Sequence, residues 1–408
     1  MISLSERHGS IVFFVVILVS FLVLVTTVAP WLFNGAALVG SATSDVKAGA
    51  EAMVARSKTT GDPKETPSQI TGCVQDPDGW SQARFNKIPG TIFVSIASYR
   101  DDECKDTVAH MFDQAKYPDN IYVGVCQQNK AGDEGDGEDC FDKCATCSAR
   151  KDSGHIRVLN LDFSEARGPC FARYHASKLF RGEEFYLQID SHTRFEPHWD
   201  ETVLSQWRAC ENTKAVIGSY PPAEGQMELM RESDFGEMIT MGPHYFDREG
   251  MPQIRAEVAP TLGRTKPIRV GFMPAGCVFF PGEALYDVPF DPYLSFLFFG
   301  EETLFSARLY TAGYDLYAPL KHFCTHHYGR EEKPKYSIDH PEAKDCRVRA
   351  LQRAKYLLGM TPAAAVHPDY LIDIDKYGMG KVRPLAAYER MAGINLKGKT
   401  YYPMLPKP

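Results

Sequence analysis

Asp190 and His192 stand two residues apart in Gln188-Ile-Asp-Ser-His-Thr-Arg-Phe195, directly after the apolar run 185–189. In extended backbone, residues i and i+2 face the same way. A carboxylate and an imidazole would thus converge on one point. Mixed oxygen and nitrogen donors suit Mn2+ and, less strictly, Mg2+. Alone, Asp-x-His also fits an aspartate that opens a turn and a histidine bonded locally. A second segment, Lys321-His-Phe-Cys-Thr-His-His-Tyr-Gly-Arg330, offers His322, His326 and His327 as further nitrogen donors. Its Arg330 offers a cation for phosphate, although paired structural histidines would read the same way. In Phe299-Gly-Glu-Glu-Thr303, two carboxylates enter a helix behind a glycine. Glu301 and Glu302 are either first-turn acids facing the helix dipole or groups that hold a reacting hydroxyl and a developing positive centre. Arg167 and Arg173 precede Asp190 and could grip a phosphate in bidentate fashion; the plain alternative is surface arginine.

Elements with the right periods surround these residues. Residues 91–99, 121–125, 156–159 and 185–189 are short apolar runs suited to buried parallel strands, with helical stretches between them. Strand, helix, strand predicts a parallel α/β sheet. In such sheets ligands bind beyond the carboxyl ends of the strands, which is where Asp190 falls. Residues 218–267 are rich in Pro, Gly and Met and read as a long active-site loop region. A further strand is expected at 276–281 and a helix at 301–312 with Gly313 as its cap. Near the end, Asp339 is placed to cap a helix that reaches Leu358, with Gly359 just beyond.

The chain has 408 residues, 44% of them hydrophobic, a formal charge of −7 and a pI near 6.0. It is too apolar to be mostly disordered, and it lacks the basic balance that a nucleic-acid partner asks for. Residues 11–33 carry no charged side chain. Such a run is long enough to span a ~30 Å hydrocarbon core and longer than a cleaved signal core. It reads as a single transmembrane anchor with a cytoplasmic tail at 1–10, a flexible stem at 34–88 and a luminal body at 89–408. Arg7 and the amino terminus precede it and Lys47, Arg56 and Lys58 follow it, so the charge rule orients it only weakly. Eleven cysteines suit an oxidising compartment. Cys140, Cys144 and Cys147 lie in an acidic stretch. Disulfides are the first expectation there; zinc, with His155 as the fourth ligand, is the second.

The order Arg-Gly-x-x-x-Ala-Arg, Asp-Ser-His, Gly-Glu-Glu, His-x-Tyr-x-Arg resembles the eukaryotic UDP-GlcNAc-dependent polypeptide α-N-acetylglucosaminyltransferases, whose members modify threonine or hydroxyproline. More distantly it is similar to the polypeptide N-acetylgalactosaminyltransferases. The resemblance spans roughly residues 92–330. It implies a GT-A fold, a Rossmann-like mixed sheet flanked by helices, and a UDP-sugar donor with retention at the anomeric carbon. The anchor reads as type II, with the body in the lumen of the Golgi or ER, and the expected acceptor is a polypeptide. Asp190, His192 and His326 become the ligands of Mn2+ or Mg2+, with His327 as the fallback for the third. Ser95, Tyr99, Arg100, Arg167, Arg173, Ser191 and Arg330 fall on the donor side; Glu301 and Glu302 are the catalytic carboxylates. The expected reaction is transfer of GlcNAc from UDP-GlcNAc to Ser or Thr hydroxyls. UDP-GalNAc or another UDP-sugar is the alternative donor, and hydroxyproline the alternative acceptor. The readings from other classes are a non-catalytic metal- or glycan-binding luminal protein and a zinc hydrolase, which lacks its usual His-Glu-x-x-His here.

Overall fold

The computed structural model describes residues 84–130, 139–232, 236–341 and 343–402. The tail and anchor expected at 1–33, and most of the stem, lie outside these. Among the described residues no helix is long and apolar enough to cross a membrane.

The first apolar run forms β1 (Ile88–Tyr99), followed by α1 (Cys104–Gln114), β2 (Ile121–Asn129), α2 (Cys147–Asp152) and β3 (Ile156–Asp162). Then come α3 (Pro169–Ser177), β4 (Glu183–Asp190), β5 (Thr193–Phe195), α4 (Trp199–Ala209) and β6 (Ala215–Gly218). The second half supplies β7 (Glu237–Phe246), β8 (Pro252–Pro260), β9 (Ile268–Arg269), β10 (Cys277–Pro281), α5 (Glu301–Thr311), β11 (Asp315–Ala318), β12 (Cys324–His326) and α6 (Lys344–Leu357). Eight strands make one sheet in the order β3-β2-β1-β4-β10-β6-β11-β9. β1 runs parallel to β2 and β4, β2 runs parallel to β3, and β10 runs antiparallel to β4. The chain builds outward from β1 through β2 and β3, then returns to β4 on the other side of β1. That reversal opens a crevice past the carboxyl ends of β1 and β4, where Ala97 pairs with Asp190.

Alternation along the strands feeds two cores. Ile92, Val94 and Ile96 join Val123, Leu187 and Ile189 against Val108 of α1 and Trp199 of α4. Phe93 faces the other way, with Tyr186, Val278, Phe280 and Leu309. Each such side chain contributes roughly 1.5–3 kcal/mol on burial, enough to fix the register of the central strands.

Two expectations are corrected. Residues 218–267 are not one long loop: β7 and β8 form an antiparallel hairpin whose Met238, Ile239 and Met241 are buried. Gly242 and Pro243 conceal the strand signal in the sequence. Asp339 does not cap the helix that runs toward Leu358, because α6 starts at Lys344. Pro341 disfavours helical backbone at His340, which has φ −124° and ψ 63°. Asp339 instead accepts hydrogen bonds from Tyr99 (2.6 Å) and Arg100 (2.7 Å). In the cysteine cluster the first expectation, disulfides, is met: Cys140 bonds Cys104, and Cys144 bonds Cys147, which leaves no thiolate there for zinc. His155 stacks on Tyr122 with ring centres 4.3 Å apart. Cys346 is also disulfide-bonded.

Candidate active site

Asp190 ends β4, and the turn Ser191-His192 carries the chain into β5. β5 pairs antiparallel with β12, so that His326 lies opposite Thr193. This short ribbon brings a histidine from late in the chain up to the Asp-x-His pair. The ligand atoms of Asp190, His192 and His326 all lie within 4.8 Å of one another. His326 Nε2 is 3.3 Å from Asp190 Oδ2, and the His192 and His326 rings are 4.5 Å apart. His327, one residue on, faces the other way and meets Glu103 at 2.9 Å. His322 stands apart as well; its Nε2 accepts from the Ile239 N–H at 3.1 Å, and burial pushes its pKa down to about 4. It is a structural histidine.

Asp101, just past β1, organises this cluster. Its Oδ2 lies 2.9 Å from His192 Nδ1 and accepts from the Ser191 hydroxyl; its Oδ1 lies 3.0 Å from Arg330 Nη1. Burial alone would raise the Asp101 carboxyl. The hydrogen bond and charge of His192, with Arg330, outweigh that and hold it well below the usual carboxylate range. An ionised carboxylate only accepts, so Nδ1 donates to Asp101 and Nε2 is the nitrogen left to face the cluster. Asp190 is also held low: burial opposes it, but His326 and Arg173 prevail. Any proton shared between His326 and Asp190 is the one a cation would displace.

The carboxylates of α5 differ in their surroundings. Arg173 of α3 grips both oxygens of Glu301, at 2.6 and 2.8 Å, and reaches Asp190 at 3.2 Å. Glu302 accepts from the Tyr220 hydroxyl at 2.7 and 2.8 Å and from the Ala275 N–H at 2.9 Å. Burial is the main cause that pushes its pKa up to about 7. Arg173, Asp190, Glu301, Glu302, His192 and His326 all line one cavity of about 480 Å³. A second cavity of about 950 Å³ shares Tyr99, His192, Phe298, Phe299, His326 and Tyr336 with it. The ligand cluster therefore sits at the waist of one continuous cleft.

Of the expected donor-side residues, Tyr99 and Arg173 line the first cavity, while Ser191 and Arg330 line the second. Arg330 is engaged by Asp101 and Glu103, and Arg100 by Asp339. Arg167 lies one residue before Gly168, which does line the first cavity. Ser95 is misplaced by the sequence reading: it is buried in the middle of β1, with its hydroxyl against Tyr186. Asp101, Tyr220 and Gly276 join the site without a sequence motif of their own. The acidic run after β1 is a faint signal for Asp101; nothing local marks Tyr220. A Cβ on Gly276 would stand 2.7 Å from Asp190 Oδ2, so only glycine leaves that oxygen its place.

A family described as "Glycosyltransferase (GlcNAc)" matches residues 91–153 and 134–397, a span that takes in every residue of the cluster. The chain belongs to this glycosyltransferase family. No curated protein matches it. Among solved structures, GalNAc-T7 with UDP, GalNAc and Mn2+ is 11% identical at a TM-score of 0.48; the match covers 74% of this chain and 56% of that one. S. aureus TarS 1–349 in complex with UDP-GlcNAc is 12% identical at a TM-score of 0.42, with 74% and 70% covered. This glycosyltransferase thus spans little more than half of the GalNAc-T7 chain it resembles. Its donor set of one carboxylate oxygen and two imidazole nitrogens fits a divalent cation such as Mn2+, with Asp101 as the outer carboxylate that orients His192.

Proposed function

We propose that this glycosyltransferase moves GlcNAc from UDP-GlcNAc to Ser or Thr hydroxyls of polypeptides, with Asp190, His192 and His326 holding Mn2+ or Mg2+. The observation that carries this reading is the meeting of those three side chains with Arg173, Glu301 and Glu302 in one cleft at the β1/β4 crevice. The ion, when bound, would stabilise the charge that grows on a diphosphate leaving group. Asp101 holds the His192 ring in its ligating orientation. Arg173 fixes Glu301 beside Asp190 and leaves Glu302 as the carboxylate that titrates near neutrality, suited to a sugar or acceptor hydroxyl. Tyr99 and Gly168 flank the strand end where a uridine would lie, as the family resemblance implies. Retention of configuration, a membrane anchor at residues 11–33 and residence in the Golgi or ER belong to the same reading.

UDP release with Mn2+ tests it, using UDP-GlcNAc, UDP-GalNAc and UDP-Glc with and without Thr-rich peptides. Peptide-stimulated release from UDP-GlcNAc alone, abolished by EDTA, is the expected result. Release from UDP-GalNAc would change the donor. Stimulation only by a hydroxyproline peptide would change the acceptor, and silence with every pair would sink the assignment.

A further inference from the structure

Cys277 and Cys324 are 47 residues apart in sequence, yet their Sγ atoms lie 3.7 Å from each other. Both are buried, at 3% and 2% exposure. Each opens a strand that serves the active site. Cys277 follows Gly276, which abuts Asp190, and pairs with Ile189 in β4. Cys324 stands two residues before His326 and pairs with Phe195 in β5. Elsewhere the chain forms disulfides: Cys104–Cys140 and Cys144–Cys147 close in the same molecule. A chain that carries such bonds matures where thiols are oxidised.

We infer that Cys277 and Cys324 form a further disulfide, one that ties the strand bearing His326 to the strand beside Asp190. The sulfurs need approach by less than ~2 Å to reach bonding distance. The oxidant is a disulfide of the thiol–disulfide exchange class, a small-molecule disulfide or an oxidoreductase. One protein thiol, as thiolate, attacks it and releases one oxidant thiol. The second protein thiol then displaces the remaining oxidant sulfur. Two S–H bonds and the oxidant's S–S bond are lost. The protein S–S bond and two oxidant thiols are gained, and the oxidant takes both electrons and both protons. Because both sulfurs are buried, exchange takes place before β12 closes over β10, and the folded enzyme then shields the bond.

The bond is independent of which sugar or acceptor the enzyme uses, so its test needs no activity. The full chain, made in a secretory host, is denatured without reductant, alkylated with iodoacetamide and digested. Peptides carrying Cys277 and Cys324 should appear joined and become alkylated only after reduction. Cys126, Cys170 and Cys210, free thiols in the structure as Cys277 and Cys324 themselves are, should be alkylated at once and so prove that denaturation is complete. Full alkylation of Cys277 and Cys324 before reduction would overturn the proposal, as would either one joined to a different cysteine. A second measurement reads the tie itself. Reduction in denaturant, followed by refolding with the thiols kept reduced, should weaken Mn2+ binding to the wild-type enzyme roughly tenfold, the lower end for a lost ligand support. The C277A/C324A variant should already bind at that level and ignore the reductant. Equal weakening of the variant by reductant would assign the effect to the other disulfides and overturn the tie.

Discussion

Replacing Glu302 by Gln should stabilise the metal-free enzyme in alkaline solution and leave it unchanged in acid. The Glu302 carboxyl has its pKa pushed up to about 7 from an ordinary 4.5, mainly by burial. The folded chain therefore keeps a proton between those values that the unfolded chain has released. Stability falls as pH rises through that window, at about 1.4 kcal/mol per unit, and the loss is complete above the folded value. The full span comes to about 3 kcal/mol, an upper bound because the side chain is not wholly shielded from water. Glutamine is neutral throughout. Its carbonyl can still accept from the Tyr220 hydroxyl and the Ala275 N–H. Urea unfolding in EDTA from about pH 5 to about pH 9 should show no difference at the acid end and a gain of up to about 3 kcal/mol for the variant at the alkaline end. A difference that does not change with pH, or a variant less stable in alkali, would refute the assignment of a raised pKa to Glu302.

Three further outcomes follow from the same geometry. Asp101→Asn removes the charge that fixes the His192 tautomer and should weaken Mn2+ binding about 10–100-fold by titration calorimetry, with the fold intact by circular dichroism. Arg173→Met leaves Glu301 buried without its cation and should cost about 3–5 kcal/mol in denaturant unfolding. Gly276→Ala places a Cβ 2.7 Å from Asp190 Oδ2 and should impair Mn2+ binding while shifting the unfolding midpoint little; unchanged affinity would show that Asp190 is no ligand.

Asp190 and His192 were legible in the sequence because strand period and strand end are local properties: an apolar run followed by Asp-x-His places both side chains on one side of a sheet edge. His326 was separable from its neighbours only through a family pattern, since the choice among three histidines depends on how β12 pairs with β5. That pairing is non-local, and no spacing within residues 321–330 encodes it. Composition misled where Gly242 and Pro243 lie within β7, because these residues signal turns more strongly than the buried methionines signal a strand. Asp339 carried a sound capping residue type, but Pro341 moved the helix onward and left it to bind Tyr99 and Arg100. Ser95 shows the opposite error: it lies in the right strand, but mid-strand and buried rather than at the carboxyl end where the cleft opens.

The β5–β12 ribbon has a consequence in time. Asp190 and His326 are 136 residues apart, and all the strands from β6 to β11 emerge between them. During synthesis the first two ligands are in place long before the third exists. A nascent chain can hold a cation only weakly until the segment around residue 326 has emerged and paired with β5. Closing so long a loop is slow compared with local structure. Tight metal capture is therefore a late event, and its onset marks the moment at which the sheet on both sides of β4 has come together.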